Sequence, residues 1–256
     1  MNRIQTLFHQ SNEKVIPFFT AGYPRLDSTI DLVLAAERGG AAMVEIGIPF
    51  SDPIADGPVI QQSSHIALQN GITLAMILQQ VRQIRKTSSI PIALMGYLNP
   101  ILHFGRQTFL AEARDAGIDG LIIPDLPATE AEEFVSLTRV HEISLILLIA
   151  PNTPGKDITH ISRLTQDLIY CVAVQGITGA RLNGVEGLTA YLKRVKKYSR
   201  SPFVVGFGIK TREDVQKINR IAHGAVVGTN LLKKIKNADN PIEVAETYIR
   251  ELGRKF

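Results

Sequence analysis

The amino-acid sequence predicts a single (β/α)8 barrel, the TIM barrel architecture of the α/β class. Short apolar runs recur eight times along the 256 residues, and helix-like segments separate them. No linker and no low-complexity stretch interrupts this alternation. Because barrels of about 250 residues routinely form one unit, we expect one domain over residues 1–256.

The eight apolar runs are the predicted strands. Their apolar residues are continuous instead of alternating with polar ones, which is typical of parallel strands covered by helices. They lie at residues 15–20, 42–47, 90–97, 120–125, 144–150, 168–174, 202–208 and 224–228.

The intervening segments begin with residues that favour helix starts. Asp27 precedes STIDLVLAAERGG, and Thr129 precedes EAEEFVSLTRV. Thr211 precedes REDVQKINRIA, in which Asp214 completes a pattern like a capping box. We also predict an extra N-terminal helix ahead of the first strand.

Two connections are longer than the others. A loop rich in Pro, Asp and Gly follows the second strand, and the stretch QGITGARLNGVEG (175–187) follows the sixth. Because both come after strands, a barrel places both at its C-terminal mouth, where active sites are built. The glycines of the second stretch suit a mobile lid.

Composition limits the class of protein. Hydrophobic residues make up 45% of the chain and charged residues 20%, as in soluble globular proteins. Cys171 is the only cysteine, which indicates a reducing compartment, and the N-terminal residues contain no apolar signal-peptide core. No apolar run approaches the roughly 18 residues of a membrane span. We therefore expect a cytoplasmic protein that does not enter a membrane.

The net charge of +4 is unevenly distributed, since residues 181–236 are rich in Lys and Arg. This bias raises nucleic acid as a partner. The basic residues are typical of solvated helix faces, and no aromatic residues interleave with them as base stacking requires. We expect no nucleic-acid binding and a mild field that favours a small anion. The six histidines are dispersed, so no metal site is expected.

The stretch VEIGIPFSDPIADGP (44–58) places Glu45 inside an apolar strand near the barrel mouth. Buried carboxylates are rare without a partner or a purpose. One interpretation is a structural ion pair, and the other is a general acid/base, because burial raises a carboxyl pKa towards neutrality. Asp52 and Asp56 stand in Asp-Pro and Asp-Gly dipeptides, which commonly form turns, and for Asp52 a role in the turn is favoured.

Glycine-rich segments end the last three strands: ITG (177–179), GFG (206–208) and VGTN (227–230). Glycine lets backbone N–H groups approach a phosphate, and a helix N-terminus adds its dipole. Barrels often bind phosphate after strands seven and eight. The residues alone therefore predict a barrel enzyme for a phosphorylated small molecule.

Beyond this pattern, the chain resembles the tryptophan synthase alpha subunit family over essentially its whole length. The motifs that carry the resemblance are PFFTAGYP (17–24), VEIGIPFSDPIADGP (44–58), GYLNP (96–100), PDLP (124–127), GITGAR (176–181), GFGI (206–209) and VGT (227–229).

The resemblance implies a carbon–carbon lyase that splits indole-3-glycerol phosphate into indole and glyceraldehyde 3-phosphate by a retro-aldol step. Glu45 matches the family's acid/base, and Asp56 matches the second catalytic carboxylate, which would accept the indole N–H bond. Tyr170 matches a tyrosine near the glycerol end, whose hydroxyl would bond to Glu45 or to the substrate. From the residues alone, Tyr170 is equally an amphipathic strand tyrosine.

Further residues take roles through the same resemblance. Five match the indole pocket, although from the sequence alone each is interpreted as a residue of the hydrophobic core: Phe18, Ile60, Met95, Ile122 and Phe207. Four match the phosphate site: Gly179, Gly208, Gly228 and Thr229. Thr178 matches the lid and would bond to Asp56 on closure. Ahead of that turn the chain carries Ala173, Val174 and Gln175, where the best-known members have an arginine and serines.

The family partner is a beta subunit that uses pyridoxal phosphate (PLP), in an αββα heterotetramer. The resemblance places the partner surface at the barrel mouth around Pro53, Asn99 and Pro127, and implies no cofactor in this chain. Three alternatives stay open from the sequence: an alpha subunit that only activates beta, a stand-alone indole-releasing lyase, and a different phosphate-binding barrel enzyme such as an isomerase.

Overall fold

The structure of this chain is a computed structural model. It describes residues 2–10, 12–165, 167–172, 184–206 and 208–253, and the side chains of residues 184 and 185 lie outside that description. Within these ranges, no helix is both long enough and apolar enough to cross a bilayer.

Eight parallel strands form a closed barrel in sequence order, as predicted. Each pairs with the next, and β8 pairs with β1. All eight lie inside the predicted apolar runs. Their bounds are β1 Val15–Thr20, β2 Val44–Gly47, β3 Ile92–Met95, β4 Gly120–Ile122, β5 Ser144–Ile149, β6 Ile169–Val172, β7 Phe203–Gly206 and β8 Gly224–Val227.

Helices connect the strands and cover the barrel. The expected extra N-terminal helix is α1, and the long interval after β2 holds a loop (48–57) and two helices, α3 and α4. The bounds are α1 Arg3–Phe8, α2 Ser28–Arg38, α3 Pro58–Gln69, α4 Leu74–Ile84, α5 Leu98–Phe104, α6 Arg106–Ala116, α7 Ala131–Val140, α8 Gly155–Leu164, α9 Gly184–Tyr198, α10 Arg212–Asn219, α11 Thr229–Lys236 and α12 Pro241–Gly253.

The predicted helix starts differ in outcome. Thr211 caps α10 in a capping box with Asp214, as expected. Asp27 holds the N-cap position of α2 without a side-chain cap bond. The prediction for Thr129 was wrong, because α7 starts one residue later, after Glu130. A turn leads into this helix, and the carbonyl of Ala128 already accepts the Ala131 N–H.

Helix α1 closes the N-terminal end of the barrel. Its Ile4 is fully buried and belongs to the apolar cluster inside the barrel, together with Ile16. Arg3 and Arg85 both reach the buried Asp119 carboxylate, each at 2.9 Å. This end is therefore filled by packed and paired side chains, which leaves the C-terminal mouth for a site.

Candidate active site

Glu45 lies in the barrel interior, as expected. It sits in the middle of β2, in register between Phe18 of β1 and Ala93 of β3, and is 1% exposed. Among the described residues, neither carboxylate oxygen has a hydrogen-bond partner. Burial raises the pKa of Glu45 to about 8. The structural ion pair considered from the sequence is absent from the described part of the chain, so Glu45 retains its proton at neutral pH.

Asp56 lies in the loop between β2 and α3, where Tyr97 holds it. The Tyr97 hydroxyl donates to Asp56 Oδ2 at 3.2 Å and accepts the Ala55 N–H at 2.8 Å. Burial raises the pKa of Asp56 to about 6, against the opposing effect of the Tyr97 hydrogen bond. Asp56 is therefore mostly ionised at neutral pH, whereas Glu45 is mostly protonated. Two carboxyl groups with pKa values separated in this way are suited to different roles.

Sequence reasoning assigned no role to Tyr97. The residue stands in the motif GYLNP just before α5, where a buried aromatic residue is usually core, and it is 4% exposed. Its ring also lies 5.2 Å from that of Phe50 in the loop after β2. The only available signal was its place in a motif at the end of a strand. Its contacts depend on the path of the 48–57 loop, which the sequence does not specify.

Tyr170 lies on β6, is buried, and faces the same interior. Burial raises the pKa of its hydroxyl well above the usual range, and the nearby charges of Glu45 and Asp56 add to the effect. The hydroxyl passes over Gly206 of β7, where a Cβ atom would overlap it. It is not bonded to Glu45 in this structure. From the sequence, the Tyr170 hydroxyl is expected to bond either to Glu45 or to the substrate, so the bond to the substrate stays a prediction.

A cavity of about 370 Å³ opens at the mouth beside these groups. At one end its wall contains Tyr170 and three of the predicted indole-pocket residues, Phe18, Ile60 and Met95. The same three residues also line a smaller adjoining pocket with Asp56 and Tyr97. The apolar side chains and the polar groups thus meet in one place, as ligand sites require.

Ile122 is one of the residues that the resemblance assigns to the indole pocket. It is fully buried in the barrel interior, in register with Met95 of β3, and lines neither the cavity nor the adjoining pocket. Met95 therefore contributes to the wall, and the assignment of Ile122 to the indole pocket stays a prediction. The predictions for Thr178, Gly179 and Phe207 lie outside the described residues.

The other end of the cavity is formed by the loop after β7 and the start of α11. Gly208 has a φ of +41°, which favours glycine. Gly228 is the N-cap of α11 and Thr229 its first residue. The first N–H groups of a helix have no intrahelical partners, and the dipole adds positive potential. This end of the cavity is built to receive an anion.

Two lysines that the sequence interpretation did not single out lie at the same end. Lys210 and Lys233 are exposed and line the cavity, and no acidic residue lines it among the described residues. Lys233 stands one turn after Thr229, and helical side chains lean towards the helix N-terminus. Its ammonium group is thus directed towards the anion-binding end.

Over the described ranges, His, Cys, Asp and Glu side chains form no group of three or more that could hold a metal ion.

Comparison with known proteins places this geometry in a family. The family model described as "Tryptophan synthase alpha chain" matches residues 4–255. The chain is similar to the tryptophan synthase alpha chain of Chlorobium phaeobacteroides (strain BS1), with 42% identity over 253 residues that cover 95% of this chain and 94% of the relative. That of Chlorobium chlorochromatii (strain CaD3) is also 42% identical, over 96% of this chain and 95% of the relative.

Solved structures agree. Tryptophan synthase subunit alpha from Legionella pneumophila superposes with a TM-score of 0.91 at 34% identity, covering 98% of this chain and 97% of that one. A chain of the tryptophan synthase complex from Pyrococcus furiosus superposes with a TM-score of 0.87 at 38% identity, covering 94% and 98%. The sequence match and the fold match both extend over nearly the whole chain, and the protein therefore belongs to the tryptophan synthase alpha chain family.

Proposed function

We propose that this chain cleaves indole-3-glycerol phosphate into indole and glyceraldehyde 3-phosphate, the lyase reaction of its family. The observation that carries the proposal is the presence of two carboxyl groups, Glu45 and Asp56, whose pKa values differ. One is fully buried with a pKa of about 8, and the other is half-buried with a pKa of about 6. Asp56 lines the smaller pocket that adjoins the cavity, and Glu45 is in strand register with Phe18, which lines both the pocket and the cavity. The cavity itself has an apolar end and an anion-binding end.

The reaction begins with proton transfer from Glu45. The protonated carboxyl gives its proton to C3 of the indole ring, which interrupts the aromatic system and places positive charge on the ring nitrogen. Asp56, ionised, accepts the hydrogen bond of the indole N–H. This bond strengthens as the charge develops, so it stabilises the transition state more than the ground state.

Carbon–carbon cleavage follows, with Glu45 now acting as a base. The Glu45 carboxylate takes the proton of the hydroxyl on the glycerol carbon next to C3. The C–O bond becomes the aldehyde, the C–C bond breaks, and its electron pair returns to the indole ring. Glu45 ends protonated, as it began, and the apolar wall of Phe18, Ile60 and Met95 holds the planar ring during both steps.

Tyr97 and Tyr170 support these steps differently. Tyr97 is bonded to both Ala55 and Asp56, so it fixes the orientation of the carboxylate that faces the indole nitrogen. The charge of Glu45 contributes to the raised pKa of Tyr170, so the two side chains are close, but they are not hydrogen-bonded to each other. The Tyr170 hydroxyl is therefore available to the glycerol hydroxyls. The family resemblance adds Thr178, which would bond to Asp56 on lid closure.

The substrate phosphate lies at the glycine-rich end. Backbone N–H groups of Gly208, Gly228 and Thr229 donate to it. Through the family resemblance, Gly179 joins the phosphate site and Phe207 joins the indole pocket. Gly228 has no room for a side chain without crowding, since a Cβ atom there would stand 3.3 Å from Cβ of Phe18. Lys210 and Lys233 add net positive charge.

The product indole passes to a beta subunit that carries pyridoxal phosphate, in an αββα complex. The Pyrococcus furiosus relative belongs to a tryptophan synthase a2b2 complex. Here the docking face is the barrel mouth around Pro53, Asn99 and Pro127, where Ile54 and Leu102 are apolar side chains exposed by 85% and 50%. The chain works in the cytoplasm as one domain (1–256), with no cofactor or metal of its own.

The test is steady-state release of glyceraldehyde 3-phosphate from indole-3-glycerol phosphate, with and without a beta subunit. A rate that the partner raises supports the proposal. Fast turnover that the partner leaves unchanged favours a stand-alone lyase. No turnover in either condition overturns the lyase assignment and leaves an activating subunit.

A further inference from the structure

The anion-binding end of the cavity is assembled from two separate chain segments. One is the loop after β7, which carries Gly208 and Lys210. The other is the start of α11, which carries Gly228 and Thr229. Donors from both segments converge on one phosphate only if the segments keep a fixed spacing, because hydrogen bonds weaken steeply outside a narrow range of distance and angle.

Tyr248 of α12 is bonded to both segments. Its hydroxyl donates to the Lys210 carbonyl oxygen at 2.9 Å and accepts a hydrogen bond from Asn230 Nδ2 at 2.6 Å. Asn230 is the second residue of α11 and also lines the cavity. One hydroxyl therefore links the loop after β7 to the first turn of α11, two residues away from the glycine on each side.

The surroundings of Tyr248 hold this link rigid. Its side chain is 5% exposed, and α12 packs against both α10 and α11. The Lys234 ammonium lies over its ring, 4.9 Å from the centroid. The hydroxyl thus projects from a fixed ring, and its position is determined by the core instead of by the loop.

We propose that Tyr248 is a positioning residue for the substrate phosphate: by joining the Lys210 carbonyl to the Asn230 side chain, it sets the spacing between the two halves of the phosphate site. It touches no substrate atom itself. The inference rests on the proposed function for the identity of the phosphate ligand, and it adds a residue from the outer layer of helices to the determinants of affinity.

The test is Tyr248→Phe in the full chain, which removes the hydroxyl and keeps the buried ring. The dissociation constants of glycerol 3-phosphate and of indole are measured by calorimetry. One or two lost hydrogen bonds correspond to about a threefold to tenfold change in an equilibrium constant. We expect the constant for glycerol 3-phosphate to rise by that factor and the constant for indole to change by less than about twofold.

The matched control is Tyr198→Phe. Tyr198 ends α9, is 38% exposed, and also has a lysine near its ring, at 5.3 Å, but its hydroxyl makes no hydrogen bond within the described part of the chain. We expect it to leave both dissociation constants unchanged. A second variant, Asn230→Ala, completes a double-mutant cycle with Tyr248→Phe. If both act through one bond, the second change adds little to the first.

Two results would overturn the inference. One is an unchanged constant for glycerol 3-phosphate in Tyr248→Phe, and the other is equal weakening of both ligands, which indicates general loosening of the barrel. Failure of the proposed function is a separate outcome. A wild-type chain that binds glycerol 3-phosphate without cleaving indole-3-glycerol phosphate removes the lyase assignment and leaves the Tyr248 test intact.

Discussion

Replacing Glu45 by glutamine should make the stability of the protein less dependent on pH. In the folded chain the pKa of Glu45 is raised to about 8 from an ordinary value of 4.5, because burial disfavours the charged form. The folded state thus holds a proton that the unfolded state releases between these two values. The free energy of unfolding therefore falls as pH rises through this window, and glutamine, which does not titrate, removes that contribution.

The magnitude follows from the shift. Each pH unit inside the window changes the free energy of unfolding by about 1.4 kcal/mol, so the step from about pH 5.5 to about pH 7.5 costs the wild type about 2.7 kcal/mol. Over the same step the glutamine variant should gain about this much relative to the wild type. For a chain of this size, the gain corresponds to about 5–10 °C in the melting temperature.

The assay is urea unfolding of both proteins at the two pH values. Any fixed cost of burying the glutamine amide is present at both values and cancels in the comparison. The control is Glu251→Gln, the same substitution at an exposed position on α12. A relative stability of Glu45→Gln that differs by less than about 0.5 kcal/mol between the two pH values would refute the assignment of Glu45 as a buried, proton-bearing carboxyl.

Three further predictions concern activity. The profile of kcat/KM against pH should rise through about pH 6 as Asp56 ionises and fall through about pH 8 as Glu45 loses its proton. In Asp56→Asn, the rise of any residual rate near pH 6 should be absent. Tyr97→Phe frees the Asp56 carboxylate and should lower kcat about tenfold, with circular dichroism unchanged. Lys210→Ala and Lys233→Ala should each raise KM about threefold at low salt and much less at high salt; equal effects at both would contradict an electrostatic role.

Much of the fold could be predicted because its signals are local. Continuous apolar runs identify parallel strands without knowledge of their partners, and the capping box at Thr211 uses contacts within one turn. The prediction for Thr129 failed because the start of α7 depends on the turn that precedes it, where the Ala128 carbonyl supplies the bond. Boundaries of this kind are decided by backbone geometry that several residue types allow.

The site was predictable only in part, for a related reason. Glu45 is conspicuous because a carboxylate in an apolar run has few ordinary explanations. Tyr97 and Tyr248 are ordinary aromatic residues in sequence, and their importance comes from hydroxyl contacts with other segments, the 48–57 loop in one case and α11 in the other. Ile122 was assigned to the pocket by resemblance; it is the register partner of Met95, which lines the cavity, and its own role stays a prediction.

The most direct test of the central claim is the rate of glyceraldehyde 3-phosphate release from indole-3-glycerol phosphate by Glu45→Gln, beside the wild type and with a beta subunit present. The account predicts that the variant still binds glycerol 3-phosphate and loses at least about a hundredfold in kcat, since proton transfer by Glu45 occurs in both steps. A variant that keeps more than a few per cent of the wild-type rate would show that another group moves the proton, and would contradict the mechanism.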